Sequence, residues 1–223
     1  MKKPLLESMS LFALLAVLAW GVAPAQATIV FGQIDDFEDA TTQSWSGGAG
    51  PANIPTGGPA GVGDHFLQMI ATGGSGPGSR LGSYNDNQWT GDYLAAGVTS
   101  IEADLRNFGS TGDLSIRLLF FGTGGNFTST IPLIIPNDGD WHHVIFGITP
   151  ADLTAVDGGF DVNATLSGTN RLLIRHQVGP PGGQFAGTSI DGEMGMDNIT
   201  ALPEPGTLSL LVFGMAALLR RRR

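Results

Sequence analysis

The chain has 223 residues, 34 of them glycine and none cysteine, with 20 acidic against 11 basic side chains and a formal charge of −9. Without cysteine there is no disulfide, no thiolate nucleophile and no Cys-ligated zinc, so a core or a bound metal must hold the fold. The acidic balance repels nucleic acid and anionic headgroups, which excludes nucleic-acid binding.

Lys2 and Lys3 precede an apolar stretch from Leu11 to Val22 and then Ala25-Gln26-Ala27. A charged start, an apolar middle and small residues at −3 and −1 predict a secretory signal helix over 1–27, cleaved before Thr28. Residues 28–202 are long enough for one domain with its own core. They hold five arginines against eighteen acids, hence −13, and no lysine. Such an acid excess suits a surface that meets neutral sugars or cations.

Glycine clusters at Gly57-Gly58, Gly73-Gly74, Gly124-Gly125 and Gly182-Gly183 punctuate the domain as turns of a sheet protein do. Between them, strands are predicted at His65–Ala71, Val98–Arg106, Leu114–Phe121, Ser129–Ile135, Trp141–Ile148, Arg171–Val178 and Met194–Leu202. In the second of these, Ile101, Ala103 and Leu105 point one way while Glu102, Asp104 and Arg106 point the other. The segment Gly47–Gly63 predicts a long loop, and Thr149–Val156, opened by Thr149-Pro150, a turn or two of helix. Short strands with almost no helix predict an all-β fold: an antiparallel β-sandwich, a jelly roll. The chain closes with Pro203-Glu204-Pro205, an apolar run over 208–219 and Arg220, Arg221, Arg222 and Arg223. The apolar run predicts a hydrophobic helix with its cationic end held on the cytoplasmic side, too short for a comfortable permanent span.

This tail, residues 203–223, resembles the PEP-CTERM sorting signal of Gram-negative bacteria, which membrane proteases called exosortases process. The resemblance implies a sorting motif at Pro203, Glu204, Pro205 and the four arginines, with an exosortase as processing partner. It implies transient anchoring in the inner membrane by a transmembrane helix over 208–219, then release to the cell surface, the outer membrane or the extracellular matrix. Exosortase systems are associated with exopolysaccharide, which implies a place in the surface matrix.

The domain opens Asp35-Asp36-Phe37-Glu38 and closes Asp197-Asn198-Ile199. These ends resemble those of galactose-binding-like jelly rolls, among them carbohydrate-binding modules. Sandwiches of that kind pair their first and last strands and hold a structural calcium at the seam, which implies Asp36, Glu38 and Asp197 as its carboxylates. Calcium takes six to eight oxygens, several of them anionic, and binding to the folded state alone stabilises it.

For glycan binding, Trp45, Tyr84 and Trp89 lie in or beside glycine-rich loops with amides and acids interleaved. Their rings could stack on sugar faces; equally, they could fold back over the core. His142 and His143 are adjacent on a strand, so they face opposite ways and cannot share a ligand. Glu102 and Asp104 resemble the start of the laminarinase-type Glu-x-Asp-x-x-Glu motif, but position 107 is Asn107, so the acid–nucleophile pair is missing. The domain is therefore expected not to be an enzyme. Two readings stay open: a module binding matrix exopolysaccharide, or a structural matrix protein without a specific ligand. A polysaccharide-acting enzyme is the weakest third.

Overall fold

The computed structural model describes residues 28–203, which form two packed antiparallel sheets. The first has the order β2 (Ala52–Ile54), β3 (Phe66–Thr72), β12 (Asp191–Leu202), β5 (Ser100–Asn107) and β9 (Trp141–Gly147), with β1 (Ile34–Asp35) also on β12. The second has the order β10 (Leu153–Val156), β7 (Gly125–Ser129), β6 (Leu114–Gly122), β11 (Thr169–His176) and β4 (Gly82–Asn85), with β8 (Leu133–Ile135) also on β6. This is the expected all-β sandwich.

Alternation of side chains makes the layers. Along β5, Ile101, Ala103 and Leu105 are fully buried while Glu102, Asp104 and Arg106 stay partly exposed, as the period of two predicts. Ile116, Leu118 and Phe120 on β6 and Leu172 and Ile174 on β11 face them from the other sheet and are equally buried. Each such side chain contributes about 1.5–3 kcal/mol by leaving water, enough to hold a sandwich without a disulfide.

The first and last strands pair, Ile34 with Thr200 and Asp35 with Ile199. β12 pairs β3 with its first half and β1 with its second. Where the partner changes, its register against β5 slips between Asp197 and Thr200, and Asn198 takes a left-handed φ of 50°. Asparagine tolerates that region better than most residues.

Three predicted elements differ. Ser129–Ile135 is two strands, β7 and β8, separated by Pro132, whose ring removes the N–H a continuous ladder needs. Thr149 and Asp152 do form a capping box, but over only a 3-10 turn, Pro150–Asp152. Leu153–Val156 then leaves the helical path to pair with β7. Gly47–Gly63 is not all loop, because Ala52–Ile54 adds β2 to the sheet edge. The helix that does form, α1 (Val162–Ser167), is capped by Asp161, whose carboxylate accepts from the N–H of Asn163 and Ala164 at 2.9 and 3.1 Å.

Among the described residues no helix is long and apolar enough to cross a membrane. That corrects the expected transmembrane helix and, with it, the expected transient inner-membrane anchoring. The run 208–219 on which the expectation rested, the signal segment 1–27 and the motif residues Glu204, Pro205 and Arg220 to Arg223 lie outside the described residues.

Candidate functional site: a cleft on the outer face of the second sheet

Trp45 and Trp89, expected as sugar-stacking residues, are 1% and 0% exposed. Both belong to the core, with ring centroids 6.2 Å apart. Each indole N–H donates to the same Asp35 oxygen, Trp45 at 2.7 Å and Trp89 at 2.6 Å, and the Gln88 amide adds a third bond at 3.1 Å. A buried indole needs such an acceptor, so these rings are held inward and offer no face to a ligand. Burial raises the Asp35 carboxyl above the ordinary aspartate value, with the three donors pulling the other way.

Tyr84 behaves differently. On β4 it alternates with the buried Ser83 and Asn85 and so emerges on the outer face of the second sheet. Its cross-strand partner is Leu173, which in turn faces Leu119, while Arg171 faces Phe121. The Arg171 guanidinium lies 4.1 Å from the Tyr84 ring centroid and 5.8 Å from that of Phe121, and bonds the Asp86 carboxylate at 2.9 Å. A planar cation over an aromatic ring is worth about 0.5–1 kcal/mol at an exposed site, and it fixes the orientation of both groups.

These residues form one side of a cleft. Arg80, Arg175 and Gly82 line its other side, and the segments Gly47-Gly48 and Gln184–Gly187 wall it. Gly82 sits where a side chain would meet the Arg175 Cβ at 3.2 Å, so its hydrogen keeps the floor open. Arg175 is buried and donates to the carbonyl oxygens of Gly182, Gly183 and Gln184, tying down the wall that carries the exposed Phe185. Aromatic and aliphatic surface beside a few oriented polar groups is the make-up of a small-molecule site.

The seam between the chain ends brings together only part of the expected calcium set. Asp197 is 1% exposed; one oxygen accepts from the Asn198 N–H at 2.7 Å and the other, Oδ2, has no partner. Burial, then the charges of Asp64, Asp104 and Glu38, push its carboxyl up to about 8. Glu38 is anchored nearby through the His65 N–H at 2.9 Å. Asp36 instead turns toward its own loop, accepting from the Glu38 N–H and the Gln43 amide. Among the described residues no group of three or more His, Asp or Glu side chains gathers as a metal site. The orphaned Asp197 oxygen is the feature that fits a cation there.

The remaining polar candidates are tied to one another. His143 contacts Asp104 at 3.1 Å and Glu102 at 3.4 Å, and His142 contacts Asp138 at 3.0 Å, so the two histidines do point apart. Trp141 packs at the start of β9 against Phe66 and Phe108, with its indole N–H on the Gly57 carbonyl.

No family model matches the chain, and no curated protein does. Solved structures do share its fold. An exo-β-agarase superposes with a TM-score of 0.55 at 15% identity, over 78% of this chain and 26% of that one. A family 11 carbohydrate-binding module from Clostridium thermocellum, solved with a β-1,3-1,4-mixed-linked tetrasaccharide, gives 0.51 at 15% identity, over 78% of this chain and 96% of that one. A second agarase gives 0.52 at 9% identity, over 78% and 24%. The chain thus spans about a quarter of the agarases and nearly the whole binding module. What these structures share with the chain is the fold, a sandwich of two antiparallel sheets.

Proposed function

We propose that residues 28–202 are a glycan-binding module whose site is the cleft between Tyr84, Phe121 and Arg171 on one side and Arg80 on the other. The observation that carries this reading is the Arg171–Tyr84 stack, a pre-oriented aromatic face with charged donors beside it on a rigid sheet. The C–H face of a sugar would pack against the stacked Arg171 and Tyr84 and its hydroxyls would meet the guanidinium groups. The likeness in fold to a module solved with a β-1,3-1,4-mixed-linked tetrasaccharide supports the same reading. Retention in gels carrying neutral and acidic polysaccharides tests it: Tyr84→Ala abolishes retention while leaving the melting temperature in place. Unchanged retention in that variant would leave a structural matrix role as the better account.

Two further elements belong to the proposal. A calcium ion would satisfy the unpartnered Asp197 oxygen, with Glu38 as the nearby second carboxylate. Its contribution there would be to clip the first and last strands together. The ends are read as a signal segment over 1–27 and an exosortase-processed tail over 203–223 of a matrix protein. Intact-mass measurement of the product tests the tail, because Glu204→Ala should leave residues that the parent chain loses.

A further inference from the structure

The cleft differs in charge from the rest of the domain. Of the five arginines in residues 28–203, four stand on or beside the outer face of the second sheet: Arg80, Arg117, Arg171 and Arg175. Arg117 and Arg175 are cross-strand partners on adjacent strands. The side chains of Arg80 and Arg175 approach each other at Gly187, where a Cβ would meet both. This is a cationic patch in a domain of charge −13.

Two carboxylates offset part of it: Asp86 on Arg171, and Asp157, whose charge acts on Arg175 more than that of either neighbouring arginine. Arg171 has the single arginine–carboxylate ion pair, to Asp86. Arg117 and Arg175 are 2% exposed; their terminal nitrogens reach main-chain carbonyls and the Gln177 amide, and their Nε atoms have no partner. Arg80 makes no hydrogen bond or ion pair through its guanidinium among the described residues, and its Nε is likewise buried and unpartnered. Burial lowers Arg175 to about 10, and the charges of Arg117 and Arg80 push the same way while Asp157 opposes them. Like charges held together under partial desolvation lower the stability of the empty cleft and are relieved by an anion.

We infer that the ligand of this cleft is an anionic polysaccharide, with Arg80 and Arg171 pairing with its acidic groups while Tyr84 and Phe121 carry the sugar face. This rests on the glycan-binding reading above and adds the charge of the ligand to it. Arg80 and Arg171 are the partly exposed members with donors to offer; Arg117 and Arg175 supply field and hold the walls. Guanidinium forks match carboxylate and sulfate geometry. A neutral glycan would leave the patch uncompensated. A nucleic acid, charged at about every 1.7 Å of duplex, would also have to overcome the domain's charge of −13. A sparsely charged polysaccharide can present one or two anions to the cleft and keep neutral residues elsewhere.

The test is retention of the purified full chain in gels carrying a uronate polymer, a sulfated galactan, agarose or mixed-linked glucan, across rising salt, with poly-glutamate as a non-sugar polyanion. Retention on one or both acidic polysaccharides, weakening with salt and falling on the order of tenfold in Arg80→Gln and Arg171→Gln, supports the inference; which polymer is held separates carboxylate from sulfate. Arg80→Gln keeps the test alive if Arg171→Gln fails to fold, because Arg80 holds nothing in place. Retention on neutral polymers alone, or retention indifferent to both variants, overturns the inference and leaves the glycan reading standing. Equal retention on poly-glutamate overturns it as well. Binding to no polymer overturns both.

Discussion

The Asp35 carboxylate holds the Trp89 indole at 2.6 Å in a site that no solvent reaches, and with the same oxygen it holds Trp45. A charged residue on the two-residue strand β1 thereby organises the largest side chains of the core. Trp89→Ala and Trp45→Ala should each destabilise the domain by about 3–5 kcal/mol. Asp35→Ala should cost about 1–3 kcal/mol for each indole N–H left unpaired. Urea unfolding checks all three. A Trp89→Ala protein of parental stability would refute the packing described.

Tyr84→Ala and Arg171→Ala should have the opposite profile. Tyr84 and Arg171 are only partly buried, and their mutual stack and the surface pair with Asp86 are each worth about 1 kcal/mol or less. Glycan retention should therefore disappear while the urea midpoint moves little. Joint loss of stability and retention in both variants would show that the cleft residues are structural.

Calcium should raise the melting temperature of the domain, and a chelator should lower it. At a hundredfold excess over the dissociation constant the gain is about 2.7 kcal/mol. Asp197→Asn should erase the response, since it removes the one buried carboxylate oxygen that has no partner among the described residues. Indifference of the parent protein to chelator would dispose of the clip.

Mild acid should take from the domain the stability that neutral His176 contributes, against Asp197, whose raised carboxyl favours the folded state as pH falls below about 8. The ring is 2% exposed, its Nδ1 accepts the Ser115 N–H at 3.0 Å, and burial lowers its pKa below the ordinary histidine value. The folded state thus binds the proton less readily than the unfolded chain. Stability is full above about pH 6.5, the unfolded value, and is lost as pH falls through the lower folded value. His176→Gln should therefore gain stability relative to the parent between pH 7 and pH 5, read from denaturation curves taken at both. An unaltered difference would place the titration elsewhere.

How much of this was legible depended on whether the signal is local. The alternation in β5 and β6 is written in consecutive residues, so the core strands and the sandwich follow from sequence. Leu153–Val156 was not legible because the Thr149–Asp152 capping box is a genuine local helix signal; pairing with β7 then overrides it. Trp45 and Trp89 carry no periodicity in their glycine-rich surroundings, and their partner Asp35 is 10 and 54 residues away. Asp35 and Asp36 carry the same local signal, and only the pairing of β1 with β12 separates them. Tyr84 could have been separated from the tryptophans by its spacing from Ser83 and Asn85. The arginine patch could not, because Arg117 and Arg175 meet only through the pairing of β6 with β11 and Arg80 reaches Arg175 from a distant turn.

The antiparallel pairing of β1 with β12 also has a mechanical consequence. The chain enters β1 and leaves β12 at the same end of that ladder, Ile34 lying opposite Thr200. Forces pulling the two ends apart therefore load it like a zipper, one rung at a time, and not in shear across all rungs together. The bonds of Gly32 and Gln33 to Ala201 open first and Asp35 stands behind them, so peeling this short ladder withdraws the acceptor from both tryptophans. Tension between an end of the chain and a ligand held in the cleft follows another path, because the cleft lies on the other sheet and the load must cross the packed interior. The domain should thus yield readily to traction on its termini and resist traction on its ligand.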